Sequence, residues 1–277
     1  MLRDITIGQY YPSGSIIHRL DPRTKIIGTL VYIIILFFVK TFTGFAAAIL
    51  FLGIVIKLSK VPLKFILKGL KAIVFLLMFT VILNMFLTKG DVLVQFWIFK
   101  ITKQGVYQAL FLGARLMLLI IGSSMMTLTT TPIELTDGIE RLLRPLKKIH
   151  VPVHEIAMMM SIALRFIPIL LEETDKIMRA QMARGADFES GNLVQRAKSM
   201  IPILVPLFLS AFRRAGELAT AMEARCYRGD VGRTRMKELR YKRRDFIAFL
   251  YILAATVAII GTRYFPDFPA MIRSILR

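Results

Sequence analysis

Cysteine is almost absent. Cys226 is the only one in 277 residues, which excludes an intrachain disulfide and any cysteine-built metal cluster. Acidic residues are scarce as well, with 18 Asp and Glu against 38 Lys and Arg and a formal net charge of +20. No Gly-x-x-x-x-Gly-Lys-Ser/Thr loop occurs; Thr88-Lys89-Gly90 has no glycine-rich lead, so the chain is not expected to hydrolyse ATP. His150, His154 and Glu155 do not make a zinc-protease signature, because that needs His-Glu-x-x-His on an unbroken helix and Pro152 intervenes. Helix-end capping is their expected role, with no metal bound. The apolar runs 45–56 and 72–87 contain no paired acids or nucleophile set, as a membrane-embedded enzyme would need. Nor does any repeated span architecture surround a midplane site, as a stand-alone secondary transporter would need.

What is abundant is apolar surface. Hydrophobic residues make up 56% of the chain, above the roughly 45–50% of soluble domains, and the mean hydropathy is +0.61. The fold class expected is an all-α integral membrane protein with about five transmembrane helices plus long cytoplasmic or interfacial helices. The expected spans are 26–39, 45–56, 72–87, 106–130 and 246–260. The positive charge clusters beside these runs, where lysine and arginine set orientation and meet anionic lipid. No basic-aromatic platform accompanies it, so nucleic acid is not an expected partner. Arg3, Arg19, Arg23 and Lys25 favour a cytoplasmic amino terminus. Lys57, Lys60, Lys64, Lys68 and Lys71, with no acid among them, mark the next inner loop, and four recur at helical spacing as in an interfacial amphipathic helix. The run 92–99 is too short to span and reads as a β-ribbon or a re-entrant piece. Arg115, inside the fourth span, is expected to snorkel toward the outer face. The carboxyl terminus then falls outside, where Arg263, Arg273 and Arg277 fit poorly.

At Thr131 the character changes. Thr131-Pro132-Ile133-Glu134 is a capping box with proline at the first helical position. A helix to about His150 follows, then two long ones over 153–184 and 193–228, about 48 and 54 Å, with Pro168, Pro202 and Pro206 expected to kink them. Three regions result: a four-span membrane region over 1–130, a helical arm region over 131–245, and a last span with its tail over 246–277. Glu172, Glu173 and Asp175 sit at helical spacing from Lys176 and Arg179 and read as internal salt bridges. The segments 156–171 and 201–212 are apolar, yet the first contains Arg165 and the second is too short to span, so both are expected to be embedded at the inner interface or packed on each other.

The arms carry one pattern twice. Ala183-Arg184-Gly185 and Ala224-Arg225-Cys226 each end a helix-compatible run, closed by Gly185 in the first case and by Gly229 in the second. Small neighbours allow a partner's backbone to approach closely while the guanidinium forks onto carboxylates or carbonyls. Met158, Met159, Met160, Met178, Met182, Met200 and Met222 lie in the same arms, and flexible thioethers suit either gap-filling or a surface that accepts several partners.

Paired Ala-Arg-x motifs behind a four-span region resemble the transmembrane coupling subunit of energy-coupling factor transporters, the ATP-driven importers of vitamins and trace metals. The resemblance extends to His18-Arg19-Leu20-Asp21-Pro22-Arg23-Thr24-Lys25 and to Arg165-Phe166-Ile167-Pro168. Cys226 departs from the family's Ala-Arg-Gly but is still small. The resemblance implies a non-catalytic subunit in the plasma membrane of a prokaryote. It also implies two cytoplasmic ABC-type ATPase subunits, which carry ATP and Mg and are docked by Arg184 and Arg225 with their neighbours. An interchangeable substrate-binding membrane subunit would be the third partner, and the arm methionines its surface.

Overall fold

The computed structural model describes residues 10–39, 41–88, 91–96, 99–188, 192–229 and 238–262. The elements in order are α1 (Pro22–Phe38), α2 (Phe42–Ser59), α3 (Leu63–Leu87), the strands β1 (Val92–Phe96) and β2 (Phe99–Thr102), α4 (Lys103–Thr129), α5 (Pro132–Leu143), α6 (Val153–Ala183), α7 (Leu193–Ser199), α8 (Ile201–Ala224) and α9 (Arg243–Gly261); a 3₁₀ turn over Arg144–Ile149 joins α5 to α6. They form two compact units, one comprising 1–7 and 139–238 and the other 8–138 and 239–277. Lys40, 233–237 and the terminal Arg263, Arg273 and Arg277 fall outside the described residues, as does Arg3.

The helical membrane fold expected from composition is present. By length and composition α2, α4, α6 and α9 are each able to cross a membrane, and α3 is a fifth if its two segments, Leu63–Lys71 and Ile73–Phe86, bent by 57°, count as one span. That bend falls where the lysine-spaced interfacial segment was expected to give way to the span. α1 is a 17-residue helix, a little short of these. α6 is among them because one Arg165 does not offset the apolar residues of a 31-residue helix; of the two placements expected for 156–171 and 201–212, packing on each other is observed. The 92–99 run is the β-ribbon alternative, an antiparallel hairpin whose second strand runs on to Thr102.

In the second unit α1, α2, α4 and α9 pack around Tyr32, Leu36, Phe45, Ala48, Leu52 and Leu118, all buried. Small residues permit the close approach that helices in lipid rely on. Gly122 on α4 lies against the Tyr32 ring so closely that a Cβ there would collide with it, and the Tyr32 hydroxyl donates to the Leu118 carbonyl at 3.2 Å. Arg115 reaches toward the end of α1, the direction in which an outward snorkel would take it. Its Nη2 donates to the Val39 carbonyl at 2.6 Å, and Val39 is the C-cap of α1. A cation on the negative pole of a helix satisfies an orphan carbonyl there, although Arg115 Nε has no partner among the described residues.

In the first unit α6 and α8 pack antiparallel. Glu173 on α6 accepts from Arg214 on α8 at 3.4 Å, and Gln181 donates to the Pro202 carbonyl at 3.4 Å. Glu173 therefore pairs across helices rather than within its own charged face, and among the described residues no ion pair joins Glu172 or Asp175 to Lys176 or Arg179. The arm expected over 193–228 is two helices broken at Met200. Pro202 has no N–H to continue the ladder from α7 and stands at the start of α8 instead, where that loss is harmless. α6 runs through Pro168 and α8 through Pro206 without interruption. The capping box at Thr131 forms as expected, Thr131 N–H to Glu134 Oε2 at 3.4 Å and Glu134 N–H to Thr131 Oγ1 at 3.3 Å.

Candidate functional site

Both Ala-Arg-x motifs are helix ends, and their backbones are the same. Arg184 is the C-cap of α6 at φ −89°, ψ 5°, and Arg225 is the C-cap of α8 at φ −91°, ψ 12°. After Arg184, the Gly185 N–H donates to Met182 and the Ala186 N–H to Gln181, both at 3.0 Å. After Arg225, the Cys226 N–H donates to Glu223 at 2.8 Å and the Tyr227 N–H to Met222 at 3.1 Å. These paired return bonds are the Schellman termination, which requires the residue after the cap to be left-handed. Gly185 has φ +89° and Cys226 φ +54°. The second terminator is thus Cys226, not Gly229, and α8 ends at Ala224 rather than running to Arg228. Sequence reasoning assigned the stop to the next glycine because a cysteine at positive φ is uncommon.

The side chains at both ends face outward. Ala183, Arg184, Gly185, Ala224, Arg225 and Cys226 are all exposed. Among the described residues neither guanidinium has a hydrogen bond or an ion pair. Because each step forward on α6 meets a step back on α8, the level of Arg225 on α6 is near Met160. Arg184 lies some two dozen residues further on, so the two caps stand at opposite ends of the helix pair, about 35 Å apart.

The seven methionines do not form one surface. Met159, Met160, Met182 and Met200 are exposed, while Met158, Met178 and Met222 are partly buried. Met222 lines a groove of about 350 Å³ between α6 and α8, with Ile162, Phe166, Leu170, Ala215 and Ala219. The more continuous exposed face belongs to α8: Ile201, Leu204, Val205, Phe208, Leu209 and Phe212, of which Phe212 is 72% exposed. Its spacing of three and four residues is readable in the sequence.

The residues 18–25 work as a clasp in the second unit. Asp21 caps α1, accepting from the Arg23 N–H at 2.9 Å and pairing with the Arg23 guanidinium at 2.9 Å. Burial pushes the Asp21 carboxyl up, but the Arg23 side chain and N–H, with Lys25 adding to them, hold it below its ordinary range. Arg23 also lies 3.9 Å over the Tyr241 ring and donates to the Leu239 carbonyl at 3.1 Å. Asp245, 2% exposed, receives the Asp21 N–H at 2.7 Å, the Thr24 hydroxyl at 3.3 Å and the Lys242 N–H at 2.8 Å. Lys25 Nζ donates to the carbonyls of Thr129 at 2.8 Å and His18 at 3.2 Å. The run thus ties the start of α1 to the start of α9 and the end of α4. Asp245 was missed in the sequence because it sits beside a basic run; an acid three residues after a helix start is the signal that marks it.

His18 Nε2 lies 2.7 Å from the Tyr11 carbonyl and so carries a proton, while Nδ1 lies 2.7 Å from Ser15 Oγ. Burial, the largest influence, pushes the imidazole below its ordinary range, opposed by the Tyr11 carbonyl and reinforced by the Lys25 charge. His154 Nδ1 lies 3.0 Å from Glu140 Oε1, tying α6 to α5.

A profile of the family described as CbiQ, cobalt transport protein, matches residues 13–237. Several relatives are similar over nearly their whole length, each named an energy-coupling factor transporter transmembrane protein, EcfT. The one from Ruminiclostridium cellulolyticum is 59% identical over 247 residues, 89% of this chain and 92% of that relative. The one from Clostridium kluyveri is 58% identical over 265 residues, 95% of this chain and 98% of that relative. The one from Bacillus subtilis is 49% identical over 258 residues, 92% and 97% of the two chains.

Proposed function

The chain belongs to the CbiQ cobalt transport family, the transmembrane components of energy-coupling factor transporters, and from that premise we propose how it couples transport to ATP hydrolysis. It is a membrane subunit of a multi-subunit transporter, and in this reading it carries out no chemistry itself. ATP and Mg belong to two cytoplasmic ABC-type ATPase subunits. Arg184 docks on one and Arg225 on the other, each flanked by small residues that let the partner's backbone close over it.

The observation that carries the reading is the duplication of one cap geometry at the two ends of the α6 and α8 pair, with both guanidiniums exposed and without a bond among the described residues. A charge held off the end of a rigid helix, with its backbone terminated the same way twice, suits two like sockets. The separation of about 35 Å along the pair suits two separate subunits and leaves no room for one socket to take both. When the ATPases close on nucleotide, the caps are drawn together and α6 slides or tilts against α8. A small substrate-binding membrane subunit resting on the exposed apolar face of these helices is then tipped or released. The same subunit binding site serves several such partners, since its apolar side chains repack.

This mechanism requires both caps on the cytoplasmic face of the plasma membrane. Because α6 and α8 are antiparallel, a crossing by both would leave the caps on opposite faces; the pair instead lies along the inner interface, with the amino terminus also cytoplasmic. Cys226, the only cysteine, is itself exposed at one cap and supplies the test. In intact cells a membrane-impermeant maleimide leaves Cys226 unlabelled, and so too a cysteine placed at Ala183 in a Cys226→Ser background. Both react once the membrane is opened and the ATPase subunits are stripped from it. Labelling of one cap from outside refutes the mechanism.

A further inference from the structure

The second unit contains a cavity that the coupling mechanism does not use. Its volume is about 380 Å³, within the range of sites that hold small apolar ligands. It opens between α1, α2, α4 and α9, and its walls are apolar, with Tyr32, Phe51, Val55, Tyr251 and Ile252 along its length. At one end its lining turns basic: Lys25 and Arg244 are there, and among the described residues no carboxylate lines it. Lys25 Nζ uses two of its three protons on the Thr129 and His18 carbonyls. Arg244 is exposed, near the start of α9, and has no bond among the described residues.

We propose that this cavity is a binding site for an anionic phospholipid, with one acyl chain between α1, α2 and α9 and the phosphate between Arg244 and Lys25. Three observations fix that occupant. The depth from the level of Lys25 to that of Tyr32 is about 10 Å along α1, two thirds of one leaflet of a bilayer whose hydrocarbon core is about 30 Å thick. The basic end lies where α1 and α9 begin and α4 finishes, at the margin of the apolar segments, where head groups reside. Arg244, unbonded among the described residues, matches one phosphodiester with Lys25 beside it, although Glu134, Asp21 and Asp245 offset part of the Lys25 charge; the amino-terminal pole of α9 adds to the field. A zwitterionic lipid brings a second, positive group into that field and is disfavoured.

Such a lipid fills a void among the helices that the clasp of residues 18–25 ties together. It therefore serves as a structural cofactor of the membrane unit. One juxtamembrane cation is worth about a fivefold preference for anionic lipid at moderate ionic strength, and added salt weakens that preference.

The test uses the full chain in detergent micelles doped with diazirine-bearing phosphatidylglycerol or phosphatidylcholine, followed by photolysis and peptide mapping. The proposal expects labelling of α1, α2 and α9 peptides around Tyr32, Val55 and Ile252, and unlabelled phosphatidylglycerol competing at least threefold better than phosphatidylcholine. Arg244→Ala lowers phosphatidylglycerol labelling about fivefold and leaves phosphatidylcholine labelling unchanged, whereas Arg244→Lys retains most of the preference. Labels distributed along all apolar helices alike, equal competition by the two lipids, or an Arg244→Ala chain with its head-group preference intact would each overturn it.

Discussion

Cys226 at positive φ makes a measurable prediction about the second cap. An L-residue in the left-handed region costs about 1–2 kcal/mol, whereas glycine adopts it freely but has a wider unfolded ensemble worth about 0.4–1 kcal/mol. Cys226→Gly should therefore stabilise the end of α8 by about 0.5–1 kcal/mol, the difference between those two effects. The mirror experiment is Gly185→Ala. No atom lies within 4 Å of a Cβ built at Gly185, so its cost is purely backbone, and the α6 cap should weaken by a similar amount. Residue-resolved amide exchange of the solubilised chain reads both. The Tyr227 amide, bonded to Met222, should exchange about two- to fivefold more slowly in Cys226→Gly. The Ala186 amide, bonded to Gln181, should exchange faster by a like factor in Gly185→Ala. Faster exchange at Tyr227 in the first variant, or an unaltered Ala186 in the second, would show that the two ends are not equivalent terminations.

Other consequences follow from the second unit. Asp245→Ala strands the Asp21 and Lys242 amides and the Thr24 hydroxyl in a buried place, at about 3 kcal/mol or more; thermal unfolding in detergent should fall by several degrees, and less in Asp245→Asn. Arg115→Leu removes a charge-assisted bond to the α1 C-cap worth about 1.5–3 kcal/mol, so it should lower the melting temperature although no partner subunit is involved. His18, whose folded pKa lies below its unfolded value, resists protonation only when folded. Its contribution is complete above about pH 6.5 and is lost as pH falls below that through the folded pKa. Melting between pH 7.5 and 5.5 should show that decline, and His18→Gln should flatten it. The Asp21 contribution is lost only in stronger acid, because its folded carboxyl titrates below the ordinary carboxylate range, so it does not blur this window.

Much of the helical membrane fold was legible because it rests on composition and on punctuation. The apolar runs became helices, Thr131 to Glu134 became a capping box, and the short run from Val92 became half of a hairpin. What escaped depends on distant partners. Arg115 reads as an awkward charge until the end of α1 is seen beside it, and Glu173 reads as one half of a pair along its own helix until Arg214 appears across the groove. Asp245 was hidden among basic neighbours although residues more than two hundred positions earlier converge on it. The arginine caps were legible as a repeat, but their equivalence was not: it lies in backbone angles, and Cys226 adopts one that its residue type disfavours.

Binding of the two ATPase subunits that the proposed function requires is the most direct measure of whether the two caps dock. Purified wild-type chain, Arg184→Ala, Arg225→Ala and the double variant can be immobilised in nanodiscs and titrated with the ATPase pair. Each single loss of a buried, bonded arginine should weaken binding by about 2–5 kcal/mol, with one ATPase still retained at the intact cap, and the double variant should capture none. Undiminished capture of both ATPases by the double variant would contradict the account.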